Sequence, residues 1–246
     1  MDYLAHKPIA FVVLLVVAIA PGRVLAAPAE DTPDEPSALV VTSDFNRDGI
    51  TDIARTSAPN GDSAPSILTV MLGQPDGTFR AAATTPVIGL DPKSIAVGDF
   101  NRDGNPDLIV GDADGSLIIL LGDGKGNLTP TPNGIRLASV ASIAVGDFNH
   151  DGILDMVVSD PHSNTATILL GSGDGSFHPA WSFKLPMQGN VYHLAVADFN
   201  GDGIPDIVVT NEDQDSFEVL LGNGNGTFTS NPALSHLIDP NAHCAT

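Results

Sequence analysis

The sequence predicts an all-β fold, a tandem array of four antiparallel sheets, on three observations. The nine-residue phrase Asp-Phe-Asn-x-Asp-Gly-x-x-Asp occurs four times, at residues 44–52, 99–107, 147–155 and 198–206. Each copy lies between short runs rich in Val, Ile and Leu that end at Gly, Asp, Asn or Pro, the pattern of strands and turns. Beyond the N-terminal region no stretch sustains helical periodicity. Six fixed residues, each used at roughly one position in twenty, make even one chance match in 246 residues improbable. Four matches are a repeat.

The elements follow in chain order. Lys7 precedes an apolar run at residues 9–20, shorter than the roughly 20 residues a membrane-spanning helix needs. Pro21 and Gly22 then break the run, and Val24-Leu25-Ala26 places small residues before a cut after Ala26 or Ala27. Residues 1–26 are therefore expected to be a signal peptide, with an uncleaved anchor as the alternative. No cysteine follows the run, as a bacterial lipoprotein would require. Residues 27–37, acidic and Pro-rich, read as a flexible leader.

Residues 38–230 hold the repeats, whose loops start 55, 48 and 51 residues apart, a period typical of propeller blades. One strand is expected to enter each loop (residues 38–42, 94–97, 142–145, 193–196) and a second to leave it (53–54, 108–110, 156–158, 207–209). A third follows (68–72, 117–121, 167–170, 218–221) and ends in a glycine-rich turn such as Leu121-Gly-Asp-Gly-Lys-Gly-Asn-Leu128. A weaker fourth strand is expected before the next repeat. Repeat one departs from the others by carrying Arg55 in its second strand and an insertion at residues 58–65. The tail, residues 231–246, has no fifth loop. One such sheet cannot bury both faces alone and must stack on its neighbours.

Composition narrows the partners. The net charge is −20, from 30 acidic and 10 basic residues. That balance argues against nucleic acid, whose phosphates need Lys and Arg, and against an anionic membrane surface. Twelve of the acidic residues lie inside the four loops. Apolar residues make up 42% and aromatics 5%, so the core must be largely aliphatic. Cys244 is the one cysteine, so no intrachain disulfide forms and packing and metal must hold an exported fold.

The loops carry the chemistry. Oxygen donors recur at every second residue, with a glycine at the sixth position (Gly49, Gly104, Gly152, Gly203), where φ > 0 is expected. The candidate ligands are Asp44, Asn46, Asp48, the Ile50 carbonyl and Asp52 in the first loop, and Asp99, Asn101, Asp103, the Asn105 carbonyl and Asp107 in the second. The third offers Asp147, Asn149, Asp151, the Ile153 carbonyl and Asp155, and the fourth Asp198, Asn200, Asp202, the Ile204 carbonyl and Asp206. Three carboxylates and an amide suit Ca2+, about one per repeat; zinc prefers His or Cys, and magnesium keeps more of its water. An EF-hand would need Glu at the twelfth position, where Arg55, Val110, Val158 and Val209 stand in strand-like runs.

These loops, with the Leu-Gly-x-x-x-Gly-x-Phe-like turns, resemble the FG-GAP/VCBS repeat family, known from integrin α-subunit propellers and many secreted bacterial proteins. The resemblance spans roughly residues 38–228 and implies antiparallel blades with one calcium in the first inter-strand loop of each. Family propellers commonly close with seven blades. Four repeats leave open a small ring, an open arc or part of an assembly.

Catalytic signals are poor. Gly122-x-Gly124-x-Gly126 leads into strand-like sequence rather than a helix, against nucleotide binding. Gly61-Asp62-Ser63 has no matching serine-protease context, and the seven histidines show no metal spacing. Trp181 and Tyr192 read as packing residues rather than a ligand platform. The expected function is an exported, calcium-binding, non-catalytic adhesion or interaction scaffold. Its partner is expected to be an extracellular protein or carbohydrate, with no nucleic acid and no membrane span after signal cleavage. The alternatives are a lyase or hydrolase acting on carbohydrate, which needs an acid/base pair outside the loops, or a fragment of a larger propeller.

Overall fold

The computed structural model describes residues 38–57, 65–82, 86–132, 134–185, 192–211, 216–231 and 236–237. The expected signal peptide, the leader, residues 58–64 of the insertion, Tyr192's side chain and most of the tail with Cys244 lie outside that set. Among the described residues there is no helix long and apolar enough to cross a membrane.

Four antiparallel sheets form, one per repeat. Sheet one comprises β1 (Val40–Ser43), β2 (Asp52–Ser57), β3 (Ile67–Gly73) and β4 (Phe79–Ala81). Sheet two comprises β5 (Pro92–Gly98), β6 (Asp107–Asp112), β7 (Ser116–Gly122) and β8 (Leu128–Pro130), with β9 (Ile135–Arg136) added to β7. Sheet three comprises β10 (Ser142–Gly146), β11 (Asp155–Asp160), β12 (Thr165–Gly171) and β13 (Phe177–Lys184). Sheet four comprises β14 (Tyr192–Ala197), β15 (Asp206–Asn211), β16 (Ser216–Gly222) and β17 (Phe228–Ser230), with β18 (His236–Leu237) on β16.

The expected fourth strand exists and starts on the last residue of the glycine turn, closed by the pairs Gly73↔Phe79, Gly122↔Leu128, Gly171↔Phe177 and Gly222↔Phe228. Three of these strands span 3 residues, whereas β13 spans 8. Its register shifts between Ile168 and Leu169, opposite Pro179. A proline lacks the N–H that a ladder needs, and a bulge accommodates it.

The strands alternate faces, and the two faces serve different neighbours. Leu108, Val110 and Leu120 of sheet two cluster with Ala54, Leu68 and Val70 of sheet one. The intervening Ile109 and Ile119 cluster with Ile143, Met156 and Leu169 of sheet three. Val157, Ala166 and Ile168 then meet Leu194, Ile207 and Leu220 of sheet four. Hence β6 and β11 are buried along their whole length. By contrast, β2 runs on through the exposed Arg55, which sits on a face of sheet one with no neighbour among the described residues, and so extends beyond its expected residues 53–54.

The first strands β1, β5, β10 and β14 adjoin one another in that order. Ile143 N–H donates to Ser94 Oγ at 2.9 Å and Leu194 N–H to Ser142 Oγ at 3.1 Å, tying consecutive sheets. The array is not closed: among the described residues no apolar cluster joins sheet one to sheet four.

Candidate metal centre

Each acidic loop connects the first and second strands of its sheet. Its ninth residue is the first residue of the second strand, paired as Ser43↔Asp52, Gly98↔Asp107, Gly146↔Asp155 and Ala197↔Asp206. The loop is therefore a tight excursion at one end of a sheet, held by a ladder on both sides.

Inside the loop the acidic side chains close turns on the backbone, as Asx residues do. Asp48 N–H donates to Asp44 Oδ1 at 3.0 Å and Gly49 N–H to Asp44 Oδ2 at 2.8 Å. Asn46 Nδ2 donates to Asp48 Oδ2 at 2.9 Å, and Ile50 N–H to Asp48 Oδ1 at 2.8 Å. The second, third and fourth loops repeat this pattern through Asp99 and Asp103, Asp147 and Asp151, and Asp198 and Asp202.

The expected positive φ is present at Gly49 (83°), Gly104 (82°), Gly152 (79°) and Gly203 (85°). The fourth position is also left-handed: Arg47 at 60°, Arg102 at 60° and His150 at 59°, with Gly201 at 77°. Sequence reading missed this second reversal, because side chains there hide the requirement that glycine advertises.

The ninth position differs from the others. Asp52, Asp107, Asp155 and Asp206 are fully buried. Asp107 Oδ2 accepts Phe100 N–H at 2.9 Å, and its Oδ1 accepts Gly122 N–H, at the end of β7, at 2.8 Å. The same two bonds recur at Asp52, Asp155 and Asp206. Each of these aspartates thus stitches its loop to the end of the third strand, besides being a candidate ligand. The Leu-Gly step that ends each third strand was the available signal: a Cβ on Gly122 would lie 2.1 Å from the Pro106 carbonyl oxygen.

Electrostatics separate the two kinds of carboxylate. Burial pushes Asp52, Asp107 and Asp155 above the usual carboxylate value, against the opposing amide donors. Burial also acts upward on Asp103, but hydrogen bonds from Asn105 and Asn101 and the Arg47 charge outweigh it and hold this carboxyl low. The amide of Gly203 leads the lowering of Asp198. The ion pairs among the described residues, Lys93–Asp91 and Arg136–Asp114, involve no loop carboxylate.

The donor chemistry fits a hard cation: carboxylates, an amide and a carbonyl at alternate positions, with a lone pair left on at least one oxygen of each carboxylate. No three Asp, Glu, His or Cys side chains among the described residues converge into a ready-made cage. The loop side chains are instead turned onto their own amides.

Trp181 stacks on Phe183 with ring centroids 4.8 Å apart and packs on the cluster between sheets three and four, so it serves as packing.

Repeated four-stranded antiparallel sheets, stacked face to face and each carrying an acidic loop between its first two strands, define a β-propeller-type repeat protein. The FG-GAP-like repeat matches the chain at residues 44–110, 99–158, 147–209 and 198–245, and the chain belongs to that family. No curated protein matches it. Among solved structures it is similar to a protein from Lactobacillus plantarum, with 14% identity and a TM-score of 0.60 over 79% of this chain and 55% of that one. It is also similar to BBS1N, solved in complex with ARL6DN and soaked with mercury, with 15% identity and a TM-score of 0.51 over 82% of this chain and 53% of the other. A functionally unknown protein from Desulfotomaculum acetoxidans DSM 771 gives 16% identity and a TM-score of 0.51, over 83% and 69%. These likenesses show the fold alone. The chain spans about half the length of the first two.

Proposed function

We propose that this protein is an exported, calcium-binding, non-catalytic scaffold that presents its sheet edges and loops to an extracellular protein or carbohydrate. The observation that carries the reading is the fourfold loop. Three carboxylates fall within nine residues, the same bonding pattern recurs in every copy, and no described ion pair neutralises any of them. Self-repulsion among them is the cost that a divalent cation would relieve.

In each loop the first, third and fifth side chains, the seventh carbonyl and the ninth carboxylate would hold Ca2+. The ion would supply charge neutralisation and a fixed loop conformation. Extracellular calcium is abundant enough to load sites of modest affinity, which fits an N-terminus read as an export signal. Among the described residues no acid/base pair outside the loops supports the enzyme reading.

The test is calorimetric titration of the chelator-treated chain with Ca2+, followed by thermal melting. Binding of about four ions with a rise in melting temperature is expected. No heat of binding and an unchanged melt would sink the proposal.

A further inference from the structure

The three joints between sheets share one construction. At each, a glycine of the later sheet's turn donates its N–H to the carbonyl of the earlier loop's phenylalanine: Gly126 to Phe45 at 3.0 Å, Gly175 to Phe100 at 3.0 Å and Gly226 to Phe148 at 2.8 Å. The turn's last side chain covers that phenylalanine, with Phe100–Phe177 and Phe148–Phe228 meeting edge to face at 5.6 and 5.4 Å. These loop rings are 1–2% exposed.

Size is matched across each joint as well. Arg47, Arg102 and His150, at the fourth loop position, lie over Gly124, Gly173 and Gly224 of the next sheet's turn. A Cβ on any of these glycines would come within 3.3 Å of the side chain above it. A bare turn position therefore suits the side chain that the loop places over it, which would otherwise have to shift by a few tenths of an ångström.

The two ends of the array carry the unmatched halves. Phe199 of the fourth loop is 46% exposed and Phe79 of the first turn 47% exposed. At these ends, and nowhere else in the array, the size match is inverted: Gly201 occupies the fourth loop position and Pro75 the turn position that is elsewhere glycine. Pro75 would crowd an Arg or His above it, whereas Gly201 leaves that space open.

We propose that sheet four of one chain docks reversibly onto sheet one of a second copy, in the manner of the internal joints. A second copy is the occupant because each end carries the half of the joint that the other lacks, an exposed loop phenylalanine at Phe199 and an exposed turn phenylalanine at Phe79. The free face of sheet one bears Thr42, Arg55 and Thr69 where sheet two places Val97, Val110 and Ile118. That mixture belongs to a non-obligate interface, soluble when apart. In the free turn Gly77 N–H bonds the Gln74 carbonyl at 2.9 Å, and docking exchanges this bond for one to the Phe199 carbonyl. The contact is head to tail, so it either closes into a ring or extends. It does not depend on calcium binding.

Sedimentation velocity over a concentration series, in chelator and in Ca2+, tests the proposal on the full chain. The chain is expected to associate as concentration rises, and more readily in salt that screens its negative charge. Phe79→Asp and Phe199→Asp should each weaken self-association by about tenfold or more, with circular dichroism unchanged. Mixing the two variants should restore a heterodimer, because each retains the end that the other lacks.

Gly201→Arg should weaken association similarly, and Pro75→Gly in the same chain should restore it. Arg47 and Arg102 already occupy this backbone conformation at φ 60°, so the substitution keeps the fold. A monomer at every concentration overturns the proposal. So does sensitivity to Phe79→Asp alone, or failure of the mixed variants to associate.

Discussion

Asp103 and Asp107 sit four residues apart in one loop, and the fold uses them oppositely. Asp103 is exposed and closes a local turn. Asp107 is buried and joins the loop to β7 through Gly122. In chelator, Asp107→Asn should cost about 1–3 kcal/mol in urea unfolding, since one amide donor loses its charged acceptor. Asp103→Asn should leave that midpoint nearly unchanged and lower calcium affinity instead. Equal effects of the two substitutions in chelator would remove the distinction. Spacing alone made the ninth residue legible as a ligand. Its stitching role was not legible, because the partner amide lies 15 residues away and is a glycine backbone group with no side chain to announce it.

Strands and turns were the most readable scale, for strands bounded by Gly and Asp advertise their ends. All four second strands run past the apolar residues expected for them, because polar end residues such as Asp107 and Asp112 also pair in the ladder. Repeat one's expected strand was the shortest, because Arg55 breaks its apolar run on a face that meets no other described sheet. Gly122, by contrast, tolerates no side chain: Gly122→Ala is expected to cost about 1–3 kcal/mol by overpacking against the Pro106 carbonyl, read from the urea midpoint. The β11–β12 turn hangs on Asp160, which accepts from His162 N–H at 2.9 Å, Ser163 Oγ at 2.8 Å and Ser139 Oγ. Burial raises this carboxyl, but those hydrogen bonds prevail and lower it. A lowered carboxyl contributes stability above its unfolded value of about 3.9 and loses it as pH falls through the folded value. Asp160→Asn should therefore destabilise by about 1–3 kcal/mol at neutral pH. Its deficit against the native chain should shrink below about pH 4. A deficit constant from neutral to acid pH would show that the carboxylate charge is not what matters.

Across the whole molecule, stability should follow nearest-neighbour logic, because each apolar cluster spans two adjacent sheets only. Among the described residues, sheets two and three have neighbours on both faces, whereas sheet four is held through one joint. The pairing of faces was invisible in sequence, since runs such as Leu108-Ile109-Val110 are apolar on both sides and alternate only once the sheets are stacked. The joint between sheets three and four centres on Phe148, which is fully buried against Phe228. Phe148→Ala should cost about 3–5 kcal/mol. The loss should appear in hydrogen exchange as faster opening of β14–β17, while β5–β8 keep their protection. Phe199→Ala removes the same ring from the same loop position at the free end. At concentrations where the chain is monomeric it should change stability by no more than about 0.5 kcal/mol. Uniform acceleration across all four sheets after Phe148→Ala would mean that the array unfolds as one unit. A large cost at Phe199 in the monomer would mean that its ring is packed within its own chain, and the end of the array would then not be free.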